Sequence, residues 1–287
     1  MKSLIHKRIL ICGKGESGKS VIILLLLLLI IFAGGLTMSQ INNSNENKED
    51  ALLITIIYDN NPFLKGLQTD WGFACLVEVG KTKLLFDTGD NGEILLSNME
   101  KLKIDPKSID LVFLSHFHHD HTGGLSTFLK KNSNVTIYYP NSFPAQLVEE
   151  IKKSGAKPIP VSSFQEIQTN IFSLGELGSA IPEQSLAIQT IKGIVIITGC
   201  AHPGIVHILE KAKDSFPDEL IYLALGGFHL HNQNEKDISK KVNEMIKMDI
   251  VSVGSCHCTG DLARKIFKDV YGNNFIEIGV GKIIQVE

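Results

Sequence analysis

Residues 51–287 predict an α/β fold in which mixed sheets are flanked by helices. Short apolar runs bounded by Gly, Pro, Asn and Asp alternate with amphipathic segments, as strands interleaved with helices do. Hairpin signals occur among the strand–helix units, so the sheets are mixed rather than purely parallel. A composition of 44% hydrophobic and 21% charged residues excludes a disordered or collagen-like chain. The net charge of -3, from 28 basic and 31 acidic residues, lacks the basic footprint of a general nucleic-acid binder. Five cysteines, an odd number, argue against a disulfide scaffold.

The first strand is expected over 51–58, an apolar run (ALLITIIY) rich in β-branched residues. A hairpin follows, with strands at 73–79 and 82–86 joined through Gly80-Lys81. A helix near 91–103 leads to a strand at 110–115, a helix near 124–131, a strand at 135–139 and a helix near 143–153. A second hairpin is expected at 185–191 and 194–198, then a helix near 204–214 and a strand at 219–225. Helices near 235–248 and 260–269 enclose a strand at 250–254, and a long strand at 275–286 closes the chain.

A weak internal repeat runs through this order. FACLVEVGKTKLLFDTG (73–89) and SLAIQTIKGIVIITG (185–199) both read as hairpins ending in Thr-Gly. Gly89 lies 29 residues before His118, and Gly199 lies 30 before His229. Two similar halves, related by an approximate two-fold and each delivering a loop to one rim, are therefore expected.

The first 50 residues are of another kind. Residues 1–38 combine basic positions (Lys2, Lys7, Arg8, Lys14, Lys19) with the apolar stretch Val21 to Leu36, and 39–50 form a polar linker. Sixteen apolar residues at about 1.5 Å each reach roughly 24 Å, a little short of a bilayer core of about 30 Å. Residues 21–36 thus read as a short membrane anchor with the N-terminus inside, or as a signal-peptide core. Gly13-Lys14-Gly15-Glu16-Ser17-Gly18-Lys19-Ser20 fits a phosphate loop and resembles the opening of MinD-like and nickel-insertion ATPases. The would-be helix after it is apolar all round, and the polar linker arrives before any further strand, so a vestigial loop is expected. A start at Met38 would instead give a cytoplasmic protein, which suits unpaired thiols.

Four of the ten histidines fall between 116 and 121. Leu111 to Ser115 reads as a buried strand, and His116-Phe117-His118-His119-Asp120-His121 follows at once. Side chains two apart on extended chain point the same way, so His116 and His118 can grip one ion while Phe117 turns back to the core. A chain turn after His118 would swing Asp120 and His121 toward a second position. His119, out of phase, is expected to be exposed or to support a ligand from behind. Imidazole and carboxylate without thiolate suit Zn²⁺, with Fe²⁺ and Mn²⁺ as the other candidates.

On these residues the chain resembles the metallo-β-lactamase fold superfamily, whose hallmark is H-x-H-x-D-H at a strand end. The likeness extends to a branch labelled dihydropterin-ribofuranosylaminobenzene phosphate synthase-like. It is carried by YDNNP (58–62), DWGFA (70–74), LLFDTG (84–89), SHFHHDHTGG (115–124), PEQSL (182–186), TGCAHPGI (198–205), GGFHL (226–230) and SCHCTG (255–260). The resemblance implies a four-layer αββα sandwich over 51–287 as the catalytic domain, holding one or two divalent ions. Carried over by position, His116, His118 and His202 make a first metal set, and Asp120, His121 and His257 a second. Alternation is expected to turn Cys256 and Cys258 away from a metal that His257 faces. Asp87, at the end of Leu84-Leu85-Phe86, would orient a ligating imidazole. One departure stands out: binuclear members carry a bridging Asp where this chain has Gly226-Gly227. The neighbouring His229 could reach a metal or hold an anionic substrate, and it is assigned to substrate.

The chemistry expected is hydrolysis of a small-molecule ester, phosphoester or amide by a metal-bound hydroxide, with Asp120 orienting water or passing a proton. Two alternatives stay open: a transferase of the dihydropterin/ribofuranosylaminobenzene phosphate type, and a mononuclear iron oxidoreductase of the sulfur-dioxygenase kind.

Overall fold

The structure, a computed structural model, describes residues 51–287. The phosphate-loop text at 13–20, the apolar stretch 21–36 and the linker 39–50 lie outside the described residues. Among the described residues no helix is long and apolar enough to cross a membrane.

The chain lays down β1 (Leu52–Tyr58), β2 (Ala74–Val79), β3 (Thr82–Phe86), β4 (Leu111–Phe113), β5 (Thr136–Pro140) and β6 (Lys157–Val161). It continues with β7 (Ser163–Gln168), β8 (Ile171–Leu177), β9 (Glu183–Thr190), β10 (Gly193–Thr198), β11 (Ile221–Gly227) and β12 (Ser252–Cys256), then returns with β13 (Ile283–Val286). One sheet has the order β13-β1-β2-β3-β4-β5-β6, the other β12-β11-β10-β9-β8-β7.

Alternation assigns each face of each sheet to its own core. Leu52, Ile54, Cys75, Val77, Leu84 and Phe86 of the first sheet meet Leu186, Ile188, Val195, Ile197, Leu223 and Leu225 of the second in one buried cluster. The outer face of the first sheet packs Leu85, Val112 and Ile137 against α1 (Gly92–Lys101), α3 (Leu125–Leu129) and α4 (Ala145–Ser154). On the second sheet, Ile194, Ile196 and Ala224 pack against α5 (Ile205–Ser215), α6 (Glu235–Lys247) and α7 (Asp261–Tyr271). Helix, sheet, sheet and helix therefore form four layers, as the resemblance implies.

The pairing order repeats between the sheets. Along β1-β2-β3-β4-β5 the pairs run antiparallel, antiparallel, parallel, parallel. Along β8-β9-β10-β11-β12 they run the same way. The two hairpins matched in sequence, 73–89 and 185–199, occupy the same place in this order.

Three strands were not expected: β6, β7 and β8. β6 (KPIPV) and β7 (SFQEIQ) are the outermost strands of their sheets and carry little apolar alternation. The Lys157 N–H turns inward to the Val135 carbonyl (3.0 Å), so Pro158 and Pro160 occupy the outward-facing positions, where no ladder donor is needed. β8 is interrupted by Gly175, which hides its period. The long strand expected at 275–286 is confined to β13, because Gly279 packs against the Asn61 carbonyl and Gly281 against Leu64. Phe275 and Val280 keep only isolated bridges, to Val253 and Pro62.

One buried side chain fixes the loop after β10. Glu183, at the start of β9 and 1% exposed, accepts the N–H groups of Gly199 (3.1 Å), Cys200 (3.0 Å) and Ala201 (2.9 Å) on Oε1 and that of His202 (2.8 Å) on Oε2. Burial pushes its carboxyl up to about 7, against the pull of the His202, Ala201 and Cys200 donors. Glu183→Gln sets at least one amide donor against a backbone donor. It should cost about 1–3 kcal/mol in a urea titration, and an unchanged midpoint would remove Glu183 from this role.

Candidate metal centre

The carboxyl ends of the co-directional strands in both sheets open on one rim, where open α/β sheets place their ligands. Asp87 follows β3, His116 lies three residues beyond β4, and Asn60 lies just beyond β1. From the other sheet come Cys200 and His202 after β10, His229 after β11 and His257 after β12. Of seven non-glycine residues with positive φ among those described, four lie in these loops: Asp87 (53°), Ala201 (58°), His229 (50°) and His257 (46°). Such strain is retained where side chains must be aimed.

The chain turns immediately after His118. The His121 and Thr122 N–H groups both donate to the His118 carbonyl (3.1 and 3.0 Å), forming the single-turn helix α2 (His119–Thr122). That turn separates the cluster into two directions. The rings of His116, His118 and His202 are in mutual contact, with centroids 4.7–4.8 Å apart. Asp120 Oδ2 is turned to the other side, 3.6 Å from His121 Nε2 and 3.2 Å from His257 Nε2. His119 is exposed and bonded to Asp90 (2.7 Å), away from both groups.

Phe117 departs from the expected alternation. It is 48% exposed and packs edge-on against Phe143 (5.6 Å), because β4 ends at Phe113 and the extended phase does not persist to residue 117.

Asp87 sets the imidazole tautomers. Its carboxylate can only accept, and it takes the Ser115 N–H on Oδ1 (2.7 Å) and the Ser115 hydroxyl on Oδ2 (2.7 Å). With its proton committed to Asp87, the Ser115 oxygen receives the His116 Nδ1–H (2.9 Å), which leaves a lone pair on His116 Nε2. His121 Nδ1–H donates to the same Asp87 Oδ2 (2.6 Å), so its Nε2 also faces the centre. His257 donates Nδ1–H to the Asn60 amide oxygen (3.1 Å). The Nε2 of His202 is buried without a hydrogen-bond partner, and that of His257, also buried, faces the Asp120 carboxylate (3.2 Å). Buried lone pairs without a donor are what a cation would satisfy.

Electrostatics divide the two groups. Burial and neighbouring imidazoles push His116 well below the usual histidine range and His202 down to about 3, and burial lowers His118, so the first group offers neutral rings. In the second, burial opposes charge on His121, but Asp87 and Asp120 lift it to about 9. Burial likewise opposes charge on Asp120, yet its bond to His257 and the charge of His121 hold it well below the usual carboxylate range. Positive charge is already favoured there, whether as a proton or as a metal ion. The donor set thus fits divalent metal ions.

The structure also brings in residues that sequence reasoning did not assign. Cys200 is 3% exposed with Sγ 3.2 Å from His121 Nε2. Cys258 does not turn away: β12 ends at Cys256, and a tight helical turn over His257–Thr259 points its thiol toward the Cys200 carbonyl (3.6 Å). Trp71, 47% exposed, lies 4.9 Å from the His257 ring. His229 is exposed on the rim, 4.4 Å from the His202 ring. Gly227, standing where a carboxylate was sought, could itself have signalled that the neighbouring loop supplies a donor.

Comparison with known proteins agrees with this architecture. The family model described as the metallo-beta-lactamase superfamily matches residues 72–210. A 7,8-dihydropterin-6-methyl-4-(beta-D-ribofuranosyl)-aminobenzene-5'-phosphate synthase of Methanocaldococcus jannaschii is 31% identical, over 79% of this chain and 92% of the relative. The solved structure of Tm1679, a metal-dependent hydrolase of the beta-lactamase superfamily, superposes with a TM-score of 0.69 at 28% identity, covering 82% of this chain and 99% of Tm1679. The fold is also that of YhfI from Bacillus subtilis (TM-score 0.61, 17% identity, 83% of this chain and 100% of YhfI). By identity, coverage and fold, the chain belongs to the metallo-β-lactamase superfamily.

Proposed function

We propose that residues 51–287 form a metal-dependent hydrolase acting on an ester, phosphoester or amide bond of a small molecule. The observation that carries this reading is the convergence of two donor groups of unlike charge on one rim: neutral His116, His118 and His202 beside Asp120, His121 and His257. The likeness to Tm1679, a metal-dependent hydrolase, supports it.

When bound, a divalent ion supplies positive charge that acidifies water and polarises a substrate oxygen, and zinc suits the imidazoles best. The residues do the rest. Asp87, through Ser115 and His121, keeps Nε2 lone pairs aimed inward. Asp120, held ionised, accepts a hydrogen bond from an incoming water and orients it. His229, on the rim beside His202, offers a donor to an anionic substrate group.

A transferase reading is favoured by one finding, the likeness to a synthase whose name contains a ribofuranosyl phosphate. Product analysis with and without an alcohol or amine acceptor separates the two, since a transferase requires the acceptor and a hydrolase does not. One bound iron with oxygen uptake would replace both by oxidation.

His116→Ala should abolish metal occupancy of the first group and all turnover of a chromogenic ester or phosphodiester, while His119→Ala keeps most of both; equal losses would refute the division. Asp87→Asn should weaken metal binding about 10–100-fold in a competition titration. Treatment with a chelator should lower stability by about 3 kcal/mol relative to protein at roughly 100 times the metal Kd. A melting curve indifferent to metal would count against the centre.

A further inference from the structure

No side chain fits at the end of β11. The Gly227 N–H donates to the Gly199 carbonyl (3.1 Å), and a Cβ on Gly227 would overlap that oxygen and lie 2.8 Å from Cys258 Sγ and 3.3 Å from Cys200 Cα. The backbone of the loop after β10 thus closes the space beyond β11, where the nearest side chain is the Cys258 thiol, and the same loop carries the Cys200 thiol to within 3.2 Å of His121 Nε2.

Cys200 is placed between the two donor groups. One ligand atom each from Asp120, His121, Cys200 and His257 lies within 4.8 Å of the others, and so do those of His116, Cys200 and His202. Among the described residues, Cys200 is the side chain common to both sets. A buried cysteine is commonly a small apolar filler. Here the sulfur instead meets a polar ring nitrogen, and the loop that aims it is locked by four N–H bonds to Glu183. Divalent ions bound at both groups would repel each other at low dielectric, and anionic charge between the groups would offset that repulsion. Asp120 is the one carboxylate in these groups.

We propose that Cys200 is the shared anionic ligand of the metal centre, bound as a thiolate between the two groups. This rests on the reading of the imidazoles as metal ligands. On binding, the S–H bond breaks, its proton passes to solvent, and the sulfur lone pair forms the bond to metal, with no change of oxidation state. A thiolate at the centre selects thiophilic ions such as Zn²⁺, Co²⁺ and Cd²⁺ over Mg²⁺ and Mn²⁺.

The test uses the full chain stripped of metal and reloaded with zinc or cobalt alone. X-ray absorption of the zinc form should show a sulfur shell at about 2.3 Å beside the nitrogen and oxygen shell at about 2.0–2.1 Å. The cobalt form should show a near-ultraviolet thiolate-to-cobalt charge-transfer band that is lost in Cys200→Ser and kept in Cys258→Ser. Metal bound without a sulfur shell or band would overturn the proposal and leave the metal centre standing. A band that survives Cys200→Ser and vanishes in Cys258→Ser would overturn it in favour of the other thiol. Failure to bind either ion would remove the metal centre itself, and the proposal with it. The absorption measurement needs no substitution, so a poorly folded variant does not decide the outcome.

Discussion

The carboxylate of Asp87 is the constraint on which the site depends. It is fully buried, in a left-handed backbone conformation, and it accepts from Ser115 twice and from His121 once. Those bonds determine which nitrogen of His121 faces the centre and, through the Ser115 hydroxyl, which nitrogen of His116 does. One oxygen, Oδ2, therefore serves both donor groups at once. Each of these imidazoles has its outward N–H consumed: rotation of His121 would leave Asp87 short of a donor, and rotation of His116 would leave the Ser115 oxygen short of one.

The fold delivers the donors by using one arrangement twice. In each sheet an antiparallel hairpin feeds parallel strands whose carboxyl ends meet at the rim. The first sheet contributes a compact run, His116 to His121, and the second contributes donors spaced far apart at 200–202, 229 and 257. The two contributions are unequal in sequence but converge, because β10, β11 and β12 end side by side. Glu183 binds the loop after β10 and Asn60 meets His257, tying the first strand of one sheet to the last loop of the other.

Much of this was legible in the sequence, for physical reasons. The hairpins at 73–86 and 185–198 are buried on both faces, so their apolar runs are nearly continuous. The His116–His121 cluster stands out because histidines at that density are rare at a strand end. The peripheral strands β6 and β7 were not legible, since a strand with one neighbour needs little apolar alternation and tolerates proline. Phe117 and Cys258 were misread for a single reason: alternation was extended past the last ladder hydrogen bond, into segments that had already begun to coil. Cys200 lay between them, in a turn whose text carries no period. Its importance depends on the closeness of its thiol to His121 and the other donors, which only the folded chain reveals.

The prolines of β6 have a consequence for how this protein meets copies of itself. On the open flank of the first sheet, Pro158 and Pro160 present carbonyl oxygens with no matching amide hydrogens. A foreign strand arriving there would find acceptors alone and could not zip up a full ladder. Two ring-closed residues thereby protect a long seven-stranded sheet from growing edge to edge into an aggregate.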